Sequence, residues 1–122
     1  MATFSKIAFQ PAGTTGTGLG IPVAATASPG TAIHTASSTA TTIDELWIYA
    51  ANYDASDRKL TLQYGGTTAG NNDIEFTVKA ENGLYLIVPG LILQGNATPL
   101  VVRAFAATAT SIVIYGYVNR IA

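Results

Sequence analysis

From Ile43 onward, apolar side chains recur at every second position in short runs, and each run stops at Gly, Asn, Asp or Pro. A two-residue period belongs to extended chain, whose side chains alternate between faces. Lys59 to Tyr64 sets Leu60, Leu62 and Tyr64 against Thr61 and Gln63, and Asp73 to Lys79 sets Ile74, Phe76 and Val78 against Glu75, Thr77 and Lys79. Ile43 to Tyr53 is apolar on both parities, with Leu46, Ile48 and Ala50 opposed to Trp47, Tyr49 and Ala51. Its aromatic and β-branched content favours a strand covered on both faces over a helix. Further strands are expected at 84–88, 91–93, 100–105 and 111–118, with Pro89-Gly90 as a break and Asn82-Gly83 as a hairpin turn. About seven short strands, with no long amphipathic helix among them, predict an all-β fold: a small antiparallel β-sandwich, jelly-roll-like. The connections are too short to hold a crossover helix.

Residues 1–42 read differently. They hold one charge, Lys6, whereas 43–122 hold all seven acids and five of the six bases. Thr, Ala, Ser, Gly and Pro dominate, and Pro11, Pro22 and Pro29 interrupt any helix. The large apolar residues are Phe4, Ile7 and Phe9, then Leu19, Ile21 and Val23, then Ile33 in Thr31 to Ala36, a strand entering the domain. Ordering about 40 residues costs roughly 1–2 kcal/mol each in backbone entropy. Burying these few side chains returns only about 1.5–3 kcal/mol apiece. The segment is therefore expected to order only where a neighbour supplies hydrogen bonds and apolar surface. The chain divides into an extended N-terminal arm, 1–42, and a β-sandwich domain, 43–122, with Phe4, Ile7, Phe9, Ile21 and Val23 as the arm's anchors on its neighbours.

The length, 122 residues, fits one domain, and a compact part of about 80 residues has a marginal core. Disulfides cannot reinforce it, since cysteine is absent, and one histidine without a thiol makes a poor zinc site. Self-association is the remaining route to robustness. A net charge of −1, with 11% charged residues and scattered bases, argues against nucleic acid as a partner. The start lacks a continuous apolar signal region, and the run 84–93 is far short of the ~20 residues that span a bilayer. The chain reads as soluble and made inside the cell, with no membrane partner.

No motif carries convincing chemistry. Gly16-Thr17-Gly18-Leu19-Gly20 has no preceding strand and no Lys-Ser/Thr ending, so it reads as a flexible linker rather than a phosphate loop. His34 would need an orienting carboxylate to act as a base, and the nearest acids in sequence, Asp44 and Glu45, are ten residues away or more. A structural or interface role is expected for it. Asp54, Asp57 and Asp73 lie in turns, and no spacing fixes a carboxylate pair or a calcium loop. Asn96-Ala97-Thr98 matches a glycosylation acceptor without a secretion signal to give it meaning. Neither enzyme activity, nor a metal, nor a cofactor is expected. The aromatic residues, Trp47 and Tyr49 above all, could stack on sugars or meet another subunit. The expectation is that the Leu46/Ile48 side packs the sandwich and the Trp47/Tyr49 side forms the oligomer interface.

Two stretches, IYAANYDASDRKLTLQYGG and LILQGNATPLVVRAFAATATSIVIYGYV, resemble small virion proteins of tailed bacteriophages. The matching positions are Asn52, Asp57, Arg58 and Lys59 at a strand-joining turn, Leu91, Leu93 and Gly95 before a late strand, and Ile114, Gly116 and Val118 in a final one. The resemblance covers about two thirds of the chain and rests on spacing and texture. It implies a structural protein of the virion, most readily a capsid decoration (cement) protein that bridges capsid subunits. Such proteins are commonly trimeric, bind the major capsid protein at symmetry axes and tie neighbours together with extended arms. The expected location is the capsid surface, after synthesis in the host cytoplasm. The alternative is a tail or fibre accessory module that binds a receptor or glycan.

Overall fold

Strands with one apolar parity bury it most simply by stacking two sheets face to face. The computed structural model describes residues 2–122. It contains a front sheet of β1 (Phe4–Ile7), β2 (Ile21–Pro22), β4 (Ile43–Asn52), β7 (Leu84–Gln94) and β9 (Ile112–Ile121), and a back sheet of β3 (Thr31–Thr35), β5 (Arg58–Tyr64), β6 (Asp73–Val78) and β8 (Val101–Ala106). The front order is β1-β9-β4-β7 with β2 also on β9, and the back order is β3-β8-β5-β6. Every pairing is antiparallel. The described residues contain no helix, and so none that could cross a membrane. The all-β sandwich expected from the alternation is the observed architecture.

β4 shows how periodicity becomes packing. Asp44, Leu46, Ile48, Ala50 and Asn52 are buried, and the residues between them are half-buried on the outer face. Leu46 and Ile48 meet Ile112, Ile114 and Val118 of β9, Leu60 and Leu62 of β5, and Val102 and Ala104 of β8 in one core.

The N-terminal segment departs from the expectation of an outstretched arm. β1 pairs with the end of β9 from Phe4↔Ile121 to Ile7↔Val118, β2 pairs with its beginning, and β3 pairs with β8. Phe9 and Val23 are buried in the chain's own core together with Ile33. They are therefore not anchors on a neighbour, which corrects their assignment from sequence. The segment does order against a partner surface, but that surface belongs to the same chain. Unpaired N–H and C=O groups along β9 and β8 supply the missing hydrogen bonds, and those groups leave no mark on hydropathy. Phe9 also needs a gap. Gly116 (φ 146°) provides it, since a Cβ there would lie 2.8 Å from the Phe9 ring and 2.0 Å from the Trp47 carbonyl oxygen.

Three local expectations also change. Asn82-Gly83 makes no hairpin, because β6 lies in the back sheet and β7 in the front. Positive φ falls on Glu81 (50°) and Gly83 (75°), and the Glu81 amide donates to the Asn52 carbonyl at 2.9 Å. The Asn52 side chain donates to the Val78 and Ser56 carbonyls, so the turn is pinned over the end of β4. Pro89-Gly90 does not end the strand either. β7 runs through it, with register shifts opposite Leu46/Trp47 and Ile48/Tyr49. Gln63, on the polar parity of β5, is buried because the Ser28–Pro29–Gly30 stretch covers it. The Gly30 amide donates to its Oε1, and its Nε2 donates to the Ser28 hydroxyl, both at 2.8 Å.

Candidate interaction face

A buried ionic cluster ties the two sheets together. His34 (β3) and Asp44 (β4) are fully enclosed, and His34 Nε2 lies 2.7 Å from Asp44 Oδ2. Arg120 (β9) donates through Nε and Nη2 to the two oxygens of Asp44 at 2.7 and 2.9 Å. The Gln10 amide donates to His34 Nδ1 at 3.1 Å, so that nitrogen carries no proton and Nε2–H faces the carboxylate. Burial pushes the Asp44 carboxyl up, but the hydrogen bonds from Arg120 and His34 outweigh it and hold it at about 2. The bond to Asp44 in turn raises the Arg120 guanidinium. Both ring nitrogens of His34 are engaged, and the ring is sealed from solvent. The cluster is thus arranged for cross-sheet attachment rather than for accepting a substrate proton. The separation of ten residues between His34 and Asp44 concealed it, because a strand and its connection bring the two side chains face to face.

The outward face of the front sheet has a different character. Glu45, Trp47, Tyr49 and Ala51 of β4 stand opposite Asn119, Tyr117, Tyr115 and Val113 of β9. On the other flank they meet Ile92, Pro89, Leu86 and Leu84 of β7. Residues 46–52, 84–94 and 112–119 contain no charged side chain. Leu84 (58% exposed), Leu86 (43%), Ile92 (59%) and Tyr115 (38%) nevertheless face water.

One end of this face is polar. Glu45 Oε1 accepts from Trp47 Nε1 at 2.7 Å and from Asn119 Nδ2 at 3.0 Å. These bonds, Trp47's first, hold the Glu45 carboxyl below the usual carboxylate range. Trp47 and Tyr117 are near-parallel, with centroids 6.2 Å apart and planes at 12°, and the Lys6 ammonium sits 4.6 Å from the Tyr117 centroid. A groove of about 380 Å³ adjoins them, between Phe4, Lys6, Glu45, Asn119, Arg120 and Ile121.

The residues expected to bind are distributed unevenly. Phe4 is 75% exposed at the front-sheet margin, Ile7 is half-buried at the other end of β1, and Ile21 is half-buried against the beginning of β9. Phe9 and Val23 are interior. Trp47 and Tyr49 share the outer face, with Leu46 and Ile48 in the core behind them. Trp47 belongs to the polar end and Tyr49 to the uncharged part. The Glu45–Trp47–Asn119 knot was not anticipated, although residues two apart on a strand share a face and could have signalled its first half. Among the described residues no cluster of three or more His, Asp or Glu side chains could hold a metal ion. No protein family, curated protein or solved structure matches this chain.

Proposed function

We propose that this chain is a virion structural protein of a tailed bacteriophage, a capsid decoration or cement protein that binds the major capsid protein. It works without catalysis, as a homo-oligomer for which a trimer is the expected size. The carrying observation is the uncharged outer face of β4, β7 and β9, where several large apolar side chains meet water on a 12.6 kDa protein. A contiguous apolar surface rimmed by polar groups marks a protein contact. Tyr49, Tyr115, Leu84 and Leu86 form the contact, while Phe4 offers a second apolar hold at the β1 margin. Many copies, each of modest affinity, stabilise the head additively through avidity.

The strand order supports a jelly-roll reading of the sandwich. The chain passes from β3 to β4, from β4 to β5, and from β6 through β9 by switching sheets at each step, and β1-β9-β4-β7 lies over β3-β8-β5-β6. Jelly rolls serve capsid and lectin domains alike, so the fold by itself selects neither. Two measurements test the proposal. Sedimentation equilibrium of the purified chain is expected to give a homo-oligomer, and immunogold labelling of particles of the encoding phage is expected to mark the head. A monomer at high micromolar concentration, or gold confined to the tail, overturns it.

A further inference from the structure

We propose that the polar end of the front face is a saccharide-binding site, centred on Trp47 and Glu45, that takes a neutral or N-acetylated hexopyranose of an oligosaccharide. A pyranose has an apolar C–H face and a rim of hydroxyls, so its receptor needs a flat aromatic surface bordered by fixed polar groups. Both are present. The Trp47 indole is half-buried on the outer face and packs on the Gly90 backbone, where a Cβ would come within 3.1 Å of Cζ2, so glycine at position 90 lets the ring settle there. The near-parallel Tyr117 ring stands beside it and carries the Lys6 ammonium over its own face.

The polar groups are positioned in advance. The Trp47 and Asn119 donors both engage Glu45 Oε1, which orients the carboxylate and leaves Oε2 without a hydrogen-bond partner among the described residues. Oε2 accepts from a sugar hydroxyl, strongly because it is charged. The Lys6 ammonium, held over Tyr117 and without a carboxylate partner among the described residues, donates from the opposite side. The adjoining groove of about 380 Å³ falls within the ~300–1,000 Å³ range of small-ligand clefts and gives room for a second sugar unit. The site lies at the Glu45 end of β4, next to Tyr49 and with Phe4 at the far side of its groove, and free saccharide probes it in the purified protein whatever its place in the virion.

Trp47 is the chain's one tryptophan, and its emission reports on the site directly. The full-length protein is titrated with free oligosaccharides of glucose, mannose, galactose and N-acetylglucosamine, followed by fluorescence and calorimetry. At least one series is expected to give a saturable emission shift and heat at millimolar concentration or below. Glu45→Gln keeps an oxygen for Trp47 and Asn119 but replaces the outer acceptor with a donor, and it is expected to weaken binding roughly tenfold. Lys6→Ala is expected to weaken it severalfold, and Thr77→Lys, on the back sheet, to leave it unchanged. Circular dichroism confirms that each variant is folded. No response to any of the four series at 10 mM, or wild-type affinity in folded Glu45→Gln, overturns the assignment.

Discussion

The back sheet turns Lys59, Glu75 and Arg103 outward, whereas the front sheet turns out Trp47, Tyr49, Leu86, Tyr115 and Tyr117. On the back, Lys59 reaches Glu75 at 3.0 Å across β5 and β6, and Lys79 comes within 3.9 Å of Asp57. Those charges are more than half exposed, so water screens each pair and the face stays solvated. On the front, water gains nothing from the leucines and little from the tyrosine rings. The same alternating strand thus yields two surfaces with opposite demands. One is satisfied by solvent, and the other is satisfied only when something covers it.

The largest expected effect lies between the two faces. Asp44→Ala leaves His34 and Arg120 without their shared carboxylate and is expected to cost about 3–5 kcal/mol in denaturant unfolding. Preserved stability would show that the sheets are joined by apolar packing alone. Next comes a direct contrast of the faces. Tyr49→Lys combined with Leu86→Lys should weaken self-association at least a hundredfold, because two unpaired charges would have to be buried. Thr77→Lys on the back should leave the sedimentation profile untouched. Equal effects from both sides would erase the distinction.

Acid titration is a smaller probe. The Asp44 carboxyl sits near 2 in the folded chain against an ordinary 3.8, so folding favours its ionised form. That stabilisation, about 2 kcal/mol, is complete above pH 4 and is lost as pH falls towards 2. Melting curves between pH 5 and 2 should show the decline, and Asp44→Asn should flatten it. The smallest effect is expected at Lys59→Ala, where loss of an exposed ion pair should leave the melting temperature unchanged within error.

Legibility from sequence followed what the period could encode. The parity of β4, with Leu46 and Ile48 inward and Trp47 outward, was readable because every second residue of a strand shares a face. Strand partnership was not. Val78 and Leu84 flank a good hairpin turn, yet burial of Val78 in one sheet and pairing of Leu84 with Ala51 in the other separate them. Residues 1–42 read as detached because hydropathy registers their scarce apolar side chains and not the backbone edges of β8 and β9 that receive them. The candidate sugar site was half visible. Trp47 was singled out, but Glu45, Asn119 and Lys6 come from three strands that only the register brings together.

The course of β7 has a bearing on how such units can accumulate. This strand borders the front sheet, and an unbroken border would invite strand after strand to be added by other copies, as in a fibril. Two bulges and an imino acid without an N–H, at Pro89, spoil the ladder there. Growth by β-augmentation is thereby discouraged, and a copy that approaches this border is met by side chains rather than by a ladder it could extend.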